Sequence, residues 1–266
     1  MTVRSEKSGP VTTVIHSRPE ARNAMDADSA EALVEAFLAF EADDDAAVAV
    51  FWGEGGAFCA GWDLKAASAL RSTSQPLAAF DFGAPDEPVP RGPMGPSRLQ
   101  LSKPVIAAIA GPAVAGGFEL ALWCDLRVME ESAYFGVYCR RWVVPLIDGG
   151  TVRLPRLVGR GRALDIILTG RKVPASEALA IGACERVVPD GAARQHAEAL
   201  AATIARFPQG CLRSDRASVY AQEGLSELDG LRSEWRISAP LVLAEGLDGA
   251  ARFASGKGRH GDFSDI

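Results

Sequence analysis

The chain has little of what metal and disulfide sites are built from. Its five cysteines, Cys59, Cys124, Cys139, Cys184 and Cys211, are scattered through 266 residues without a CxxC pair. An odd number without paired spacing speaks against a disulfide framework and a zinc site alike; it fits a reducing compartment, so a cytoplasmic location is expected. Only three histidines occur, His16, His196 and His260, far apart, and each is expected to be structural or exposed. Neither a GxSxG elbow nor an HExxH helix is present, which removes elbow-type serine hydrolases and zincins. GEGGAFCAG lacks the GxGxxG spacing of a dinucleotide fingerprint.

A basic excess is missing as well. The formal net charge is −6, which argues against a nucleic-acid binder, whose charge would be concentrated in a basic face. A local cationic patch for a small anionic ligand remains compatible with it. Every long apolar run is broken by Lys, Glu, Asp or Arg, so no membrane span is expected. The opening MTVRSEKSGP has no apolar stretch of the kind a secretory signal carries. Hydrophobic residues make up 48% and charged residues 23%, the composition of a globular protein with a sizeable core. The length allows one or two domains.

VTTVIH (11–16), AVAVFWG (47–53), KPVIAAIAG (103–111) and LRVMEE (126–131) read as strands. They are too apolar for a half-exposed antiparallel sheet and alternate with helical segments, which is an α/β pattern. SAEALVEAFLAFEAD reads as a helix with Leu33, Phe37 and Phe40 at helical spacing, capped by Asp26 or Asp28. Residues 72–97, rich in Pro, Gly and Ser, read as a mobile loop or lid. From about 191 the strands stop and helices follow, ARQHAEALAATIARF first and then segments around 212–256.

The chemistry concentrates in AGPAVAGGFELALWCD (110–125). Two glycines end a turn, a helix begins, and one carboxylate, Glu119, sits among apolar residues. The first N–H groups of a helix have no internal partners and carry the positive end of its dipole. Such donors can hold a developing negative oxygen. Glu119 is either a proton carrier beside that site or a capping-box residue, although no Ser or Thr at 116 completes the box. FCAGWDLK (58–65) is a second glycine turn, with Asp63 readable as a solvated helix-start carboxylate. Two such turns form a two-donor oxyanion hole only if they converge.

RPEARNAM, GGAFCAGWDLK, KPVIAAIAGPAVAGGFELALWCDLRV, FGVYCRRWVVPLIDGGTVRLPRLVG, ILTGRKVPASEALAIGACERVV and the tail FASGKGRHGDF, in that order, resemble the crotonase family, also called the enoyl-CoA hydratase/isomerase family. The resemblance covers nearly the whole chain. It implies an α/β crotonase (ClpP-like) fold: a spiral core of repeated ββα turns over residues 1–190 and a helical oligomerisation region over 191–266, assembled as a homotrimer or a dimer of trimers. It implies an acyl-CoA substrate, with coenzyme A as part of the thioester and neither metal nor other cofactor required.

Residue by residue, the resemblance assigns the thioester oxygen to the N–H groups of Trp62 and Gly116. It places Arg22 near the coenzyme's phosphates or adenine, and Ala60, Asp63, Leu64 and Lys65 along the same ligand. Glu119 matches one of the two catalytic glutamates of the hydratases, and burial in an apolar pocket would raise its pKa toward neutrality. The place of the second glutamate is held by Cys139, followed by Arg140 and Arg141. A thiol is a poor substitute for a carboxyl, so Cys139 is expected to be a packed small residue. Asp148, just before Gly149 and Gly150, is the alternative partner, as in dienoyl-CoA isomerases, or else a helix cap. The expected activity is hydration of a 2-enoyl-CoA; the alternatives are an enoyl-CoA or dienoyl-CoA isomerase, or a catalytically silent acyl-CoA binder.

Overall fold

The computed structural model describes residues 2–72, 74 and 77–258. His260 and the end of the tail FASGKGRHGDF lie outside the described residues, as do three positions of the 72–97 segment. Nine strands are present among the described residues: β1 (Val3–Ser8), β2 (Val11–His16), β3 (Val48–Gly53), β4 (Val105–Ile109), β5 (Pro112–Val114), β6 (Leu126–Glu130), β7 (Tyr134–Gly136), β8 (Lys172–Pro174) and β9 (Arg186–Val188). They form a six-stranded sheet in the order β1-β2-β3-β4-β6-β9 and a three-stranded sheet in the order β5-β7-β8. In the large sheet only β1–β2 is antiparallel.

The apolar strands are explained by what covers them. β2 and β4 are buried along their whole length, as parallel strands enclosed on both faces must be. On one face, helix α1 (Ala27–Ala42) buries Leu33, Phe37 and Phe40, with Asp26 rather than Asp28 as its cap: the Ser29 N–H donates to the Asp26 carboxylate at 2.8 Å. Phe37, Phe51 and Phe58 pack edge to face there, with centroids 5.0–5.5 Å apart, an arrangement that adds roughly 1 kcal/mol per pair to area burial.

The chain winds so that successive turns add a strand to the large sheet and then a short segment to the second layer. β3 leads to Cys59, which bridges to Ala113; β4 leads to β5, and β6 to β7. Helices α2 (Leu64–Ala69) and α3 (Gly116–Trp123) follow the first two of these, and α4 (Gly150–Val158) and α5 (Arg160–Thr169) the third. α6 (Ala175–Ala180) joins β8 to the last edge strand. α7 (Ala193–Ala205), the first helix after residue 191, lies on the opposite face of the large sheet: Ala193, Ala197, Leu200 and Ala201 are buried with Val48, Val50, Ile106 and Val128. α8 (Gln209–Ala221), α9 (Glu227–Leu241) and α10 (Leu247–Ala254) complete the helical region, with a π-helical stretch at Val242–Gly246.

The segment expected to be a mobile loop divides in two. Residues 81–89 are exposed, but residues 92–97 are buried. Its two glycines explain the difference. A Cβ on Gly92 would lie 2.5 Å from the Asp148 carboxylate, and one on Gly95 would lie 2.5 Å from the Ala30 carbonyl oxygen. Residues 92–97 are therefore a fixed wall pressed between α1 and the loop before α4. Among the described residues no helix is long and apolar enough to cross a membrane.

At the end of β2, His16 is fully buried and neither ring nitrogen has a hydrogen-bond partner. Burial, and then the charge of Arg18, push its pKa from 6.5 down to about 4, against a smaller opposing effect of Asp26. The unfolded chain binds the proton at higher pH than the folded one. The stability is therefore full above the ordinary pKa and is lost as pH falls from there toward about 4, by roughly 3 kcal/mol in all. A His16→Phe variant is expected to flatten this limb in denaturation midpoints measured against pH; an unchanged limb assigns the loss to other groups.

Candidate active site

The two glycine turns meet. Gly61 has φ +90°, and a Cβ there would stand 2.7 Å from the Ala115 Cβ and 3.1 Å from the Gly116 nitrogen. The contact is laced by backbone bonds: the Val114 N–H donates to the Cys59 carbonyl at 3.0 Å, and the Phe58 and Cys59 N–H groups donate to the Pro112 carbonyl. Ala115 has φ +54° and ψ −127°, a conformation that costs a residue with a side chain about 1–3 kcal/mol. It turns the chain so that α3 starts against the first turn. Among the described residues, neither the Trp62 nor the Gly116 N–H has an acceptor within the chain. Both residues line one cavity of about 200 Å³.

The first turn is held from behind by the loop that reads RPEARNAM. The Ala60 N–H donates to the Arg22 carbonyl at 3.0 Å, the Met25 N–H to Gly61 and the Asp63 N–H to Met25, both at 2.8 Å. Asn23 is fully buried with φ +55° and donates to the carbonyls of Glu54 and Ala57. Arg18 pairs with Asp26 at 3.1 Å and with Asp63 at 3.2 Å. Arg18 and Asn23 were not singled out from the sequence; the one local signal was a polar pair flanking a turn.

The Asp63 carboxylate accepts from the Lys65 and Ala66 N–H groups and so caps α2. Burial would raise its pKa, but these N–H bonds and Arg18 outweigh that and lower it. Of the five residues expected along the coenzyme, Ala60 and Leu64 line the cavity, whereas Arg22, Asp63 and Lys65 do not. Arg22 and Lys65 are exposed beside the first turn.

Glu119 is 3% exposed and lines the same cavity. It caps a helix other than its own. Its Oε1 accepts from the Asp148 N–H at 2.9 Å and from the Gly150 N–H, at the start of α4, at 2.8 Å. Gly150 allows this approach, since a Cβ there would be 3.0 Å from the Glu119 Cγ. Oε2 has no protein partner among the described residues. Burial raises the Glu119 pKa to about 7; the Gly150 N–H opposes this, and the Asp148 charge adds to it. A carboxyl poised there exchanges protons readily near neutral pH.

Asp148 is equally buried and also lines the cavity. It meets Glu119 through its backbone N–H. Its carboxylate Oδ1 accepts from the Met94 N–H at 3.0 Å and from the Ser97 hydroxyl, fastening the buried wall at 92–97. It does not cap α4, whose N-cap is Gly149. Burial raises the Asp148 pKa, with the Ser97 and Met94 bonds opposing. Cys139, on a short 3₁₀ turn (Tyr138–Trp142), is 8% exposed and lines the cavity. Burial first, and then the nearby Glu119 charge, raise its pKa and keep it a thiol. Arg140 and Arg141 turn away: one donates to the Ile167 carbonyl at 2.6 Å, and the other lies 4.0 Å from the Tyr138 ring centroid. The wall residues Met94 and Ser97 were not picked out from the sequence, because nothing local ties them to a carboxylate so much later in the chain.

Comparison with known proteins places the chain among relatives of one family. A family model described as enoyl-CoA hydratase/isomerase matches residues 6–237. The enoyl-CoA hydratase EchA19 of Mycobacterium tuberculosis is 34% identical over 247 residues, 90% of this chain and 88% of that protein. The carnitinyl-CoA dehydratase of Salmonella arizonae is 37% identical over 263 residues, 92% of this chain and 96% of that one. Among solved structures, an enoyl-CoA hydratase from M. tuberculosis superimposes with a TM-score of 0.85 at 29% identity, covering 96% of both chains. EchA1 from Mycobacterium marinum gives 0.85 at 30% identity with the same coverage.

Proposed function

Because the chain belongs to the enoyl-CoA hydratase/isomerase family and has its crotonase fold, we propose that it hydrates a 2-enoyl-CoA thioester. The observation that carries this is the meeting of two unpartnered N–H groups and one perturbed carboxylate in a single small cavity. The thioester oxygen sits between the Trp62 and Gly116 N–H groups. As a proton is exchanged at the carbon beside the carbonyl, negative charge moves onto that oxygen, and donors already in place stabilise it at no reorganisation cost. Glu119, fixed through Oε1, presents Oε2 to the water and the proton. Asp148 is the proposed second group. Relatives named as a hydratase and as a dehydratase correspond to the two directions of such a reaction.

The coenzyme lies along Ala60, Asp63, Leu64 and Lys65, with Arg22 toward its phosphates. No metal or further cofactor is needed in this scheme, and the enzyme works in the cytoplasm. The exposed apolar side chains Leu228, Leu231, Trp235, Leu243, Leu247 and Phe253 lie on the helices proposed to assemble a homotrimer or a dimer of trimers.

One observation favours a second reading. The Asp148 carboxylate already holds Met94 and Ser97, and the remaining neighbour is a thiol. A single free carboxyl suffices to move a proton between two carbons, which is double-bond isomerisation. Incubation with 2-enoyl-CoA and 3-enoyl-CoA substrates separates the readings: water addition supports the hydratase, and double-bond migration alone rejects it. A silent acyl-CoA binder would take up the thioester without solvent deuterium entering it.

Asp148→Asn keeps an oxygen for Met94 and Ser97 but cannot carry a proton. It is expected to lower kcat for hydration by about a hundredfold with little change in thermal midpoint, whereas Cys139→Ala keeps kcat close to wild type. The opposite pattern in steady-state kinetics gives the second role to the thiol.

A further inference from the structure

Ile147 and Asp148 line a second, larger cavity as well, of about 830 Å³, between the core and α8. Its walls are partly apolar, with Leu99, Leu122, Trp123 and Val152, yet six arginines reach it against three carboxylates. That balance is unusual for a chain of net charge −6. Three of the arginines are neutralised: Arg216 by Asp125 at 2.8 Å, Arg156 by Glu223 and Arg127 by Glu185, both at 2.5 Å. Among the described residues, Arg98, Arg153 and Arg213 have no carboxylate within ion-pair distance. Arg98 donates to the Phe80 carbonyl and lies 4.5 Å from the Phe82 ring centroid. Arg153 donates to the carbonyls of Asp148 and Ser97. The Arg213 Nε is buried without a partner.

The Asp148 charge acts on Arg98 and Arg153, and the Glu119 charge on Arg153, whereas a partly buried guanidinium without a counter-charge, as at Arg213, is costly unless an anion completes it. Ile147 and Asp148 line both cavities, so the two adjoin and the anion that best fits belongs to the substrate itself. We propose that the chamber receives the far end of the acyl group past Ile147 and Asp148 and selects acyl chains that end in a carboxylate, with Arg213 and Arg98 as the selecting residues and Arg153 bonded to the Asp148 and Ser97 carbonyls where the two cavities adjoin. The substrate is then an unsaturated dicarboxylic acid joined to coenzyme A through one end, its methylenes against the leucines and its free carboxylate among the arginines. This rests on the acyl-CoA reading given above.

The test is calorimetric and needs no turnover. Adipoyl-, suberoyl- and sebacoyl-CoA are titrated into the full-length protein beside hexanoyl-, octanoyl- and decanoyl-CoA. The dicarboxylic ligand is expected to bind roughly tenfold to a hundredfold more tightly at one or more lengths, the range of a charge-assisted hydrogen bond. Arg213→Gln is expected to abolish most of that preference and leave the plain acyl-CoA affinity unchanged, with Arg213→Lys restoring part of it. Arg98→Gln serves if the first variant does not fold, and the wild-type comparison stands without either.

Equal affinities at all three lengths overturn the proposal, as does an equal weakening of both ligand classes by Arg213→Gln. A changed oligomeric mass with the preference untouched overturns it too and assigns the arginine to a subunit contact. A preference for dicarboxylic ligands without turnover of any enoyl-CoA would sink the catalytic reading and leave this inference standing. Turnover without the preference does the reverse.

Discussion

Replacing Glu119 with Gln is expected to lower kcat by about a hundredfold to ten-thousandfold, the usual cost of removing a positioned proton carrier, while leaving the protein folded. Gln keeps an oxygen for the Asp148 and Gly150 N–H groups, so the start of α4 stays where it is. What it loses is the exchangeable proton on the side facing the cavity. In deuterated water, label should enter the thioester with the wild type and not with the variant. In the wild type, kcat/KM should fall with decreasing pH below about 7, where burial has moved the Glu119 pKa, and the variant should lack that limb. Full exchange in Glu119→Gln would remove Glu119 from the mechanism.

The same substitution has a stability signature of opposite sign. The folded pKa lies above the ordinary 4.5, so the unfolded chain gives up its proton at lower pH than the folded one. The stability of the native state is full below the ordinary pKa and is lost as pH rises through about 7, by roughly 3 kcal/mol. Glu119→Gln should therefore melt above the wild type at pH values past neutrality and near it in acid. A thermal midpoint series against pH checks this. A variant that is less active and more stable marks a group kept for chemistry at the expense of the fold.

Glu119 was legible as a candidate because a lone carboxylate after two glycines, inside an apolar helix, reads as a proton carrier or a capping residue, and the family resemblance favours the first. Its hydrogen-bond partners were not, since they are backbone N–H groups of α4, set there by packing between helices far apart in sequence. The four buried strands declared themselves through continuous apolar runs. β1 did not: VRSEKS is charged and mostly exposed, and it pairs only because Gly9 and Pro10 turn it onto β2. β5, β7, β8 and β9 are three residues each, too short for a period to show. α7 reads by composition as one more tail helix, yet its small residues fit it flat against the sheet. In the 72–97 segment, Pro and Gly suggested looseness; at 92–97 the glycines are there because backbone and carboxylate approach too closely for any side chain.

Gly117→Ala is expected to be almost as damaging to catalysis as the loss of Glu119, for a reason that involves no reacting group. A Cβ on Gly117 would lie 2.1 Å from the Cys59 carbonyl oxygen and 2.8 Å from the Cys59 Cβ. The first of these is backbone, tied to Val114 by a hydrogen bond, and cannot swing aside. The two turns must separate, and the Gly116 N–H moves with them. Losing one donor of an oxyanion hole costs about a hundredfold to a thousandfold in kcat, and crowding a packed core costs about 1–3 kcal/mol of stability. Gly161→Ala is the control, since that glycine lies in α5 with nothing within 4 Å of the added carbon, and it should be neutral or slightly stabilising. If Gly117→Ala folds and retains kcat within about tenfold, the oxyanion hole is not formed by the contact between Cys59 and the start of α3. If kcat falls while acyl-CoA binding persists, the contact between the turns acts on the transition state, and the second glycine of the pair is there to let the first one reach the substrate.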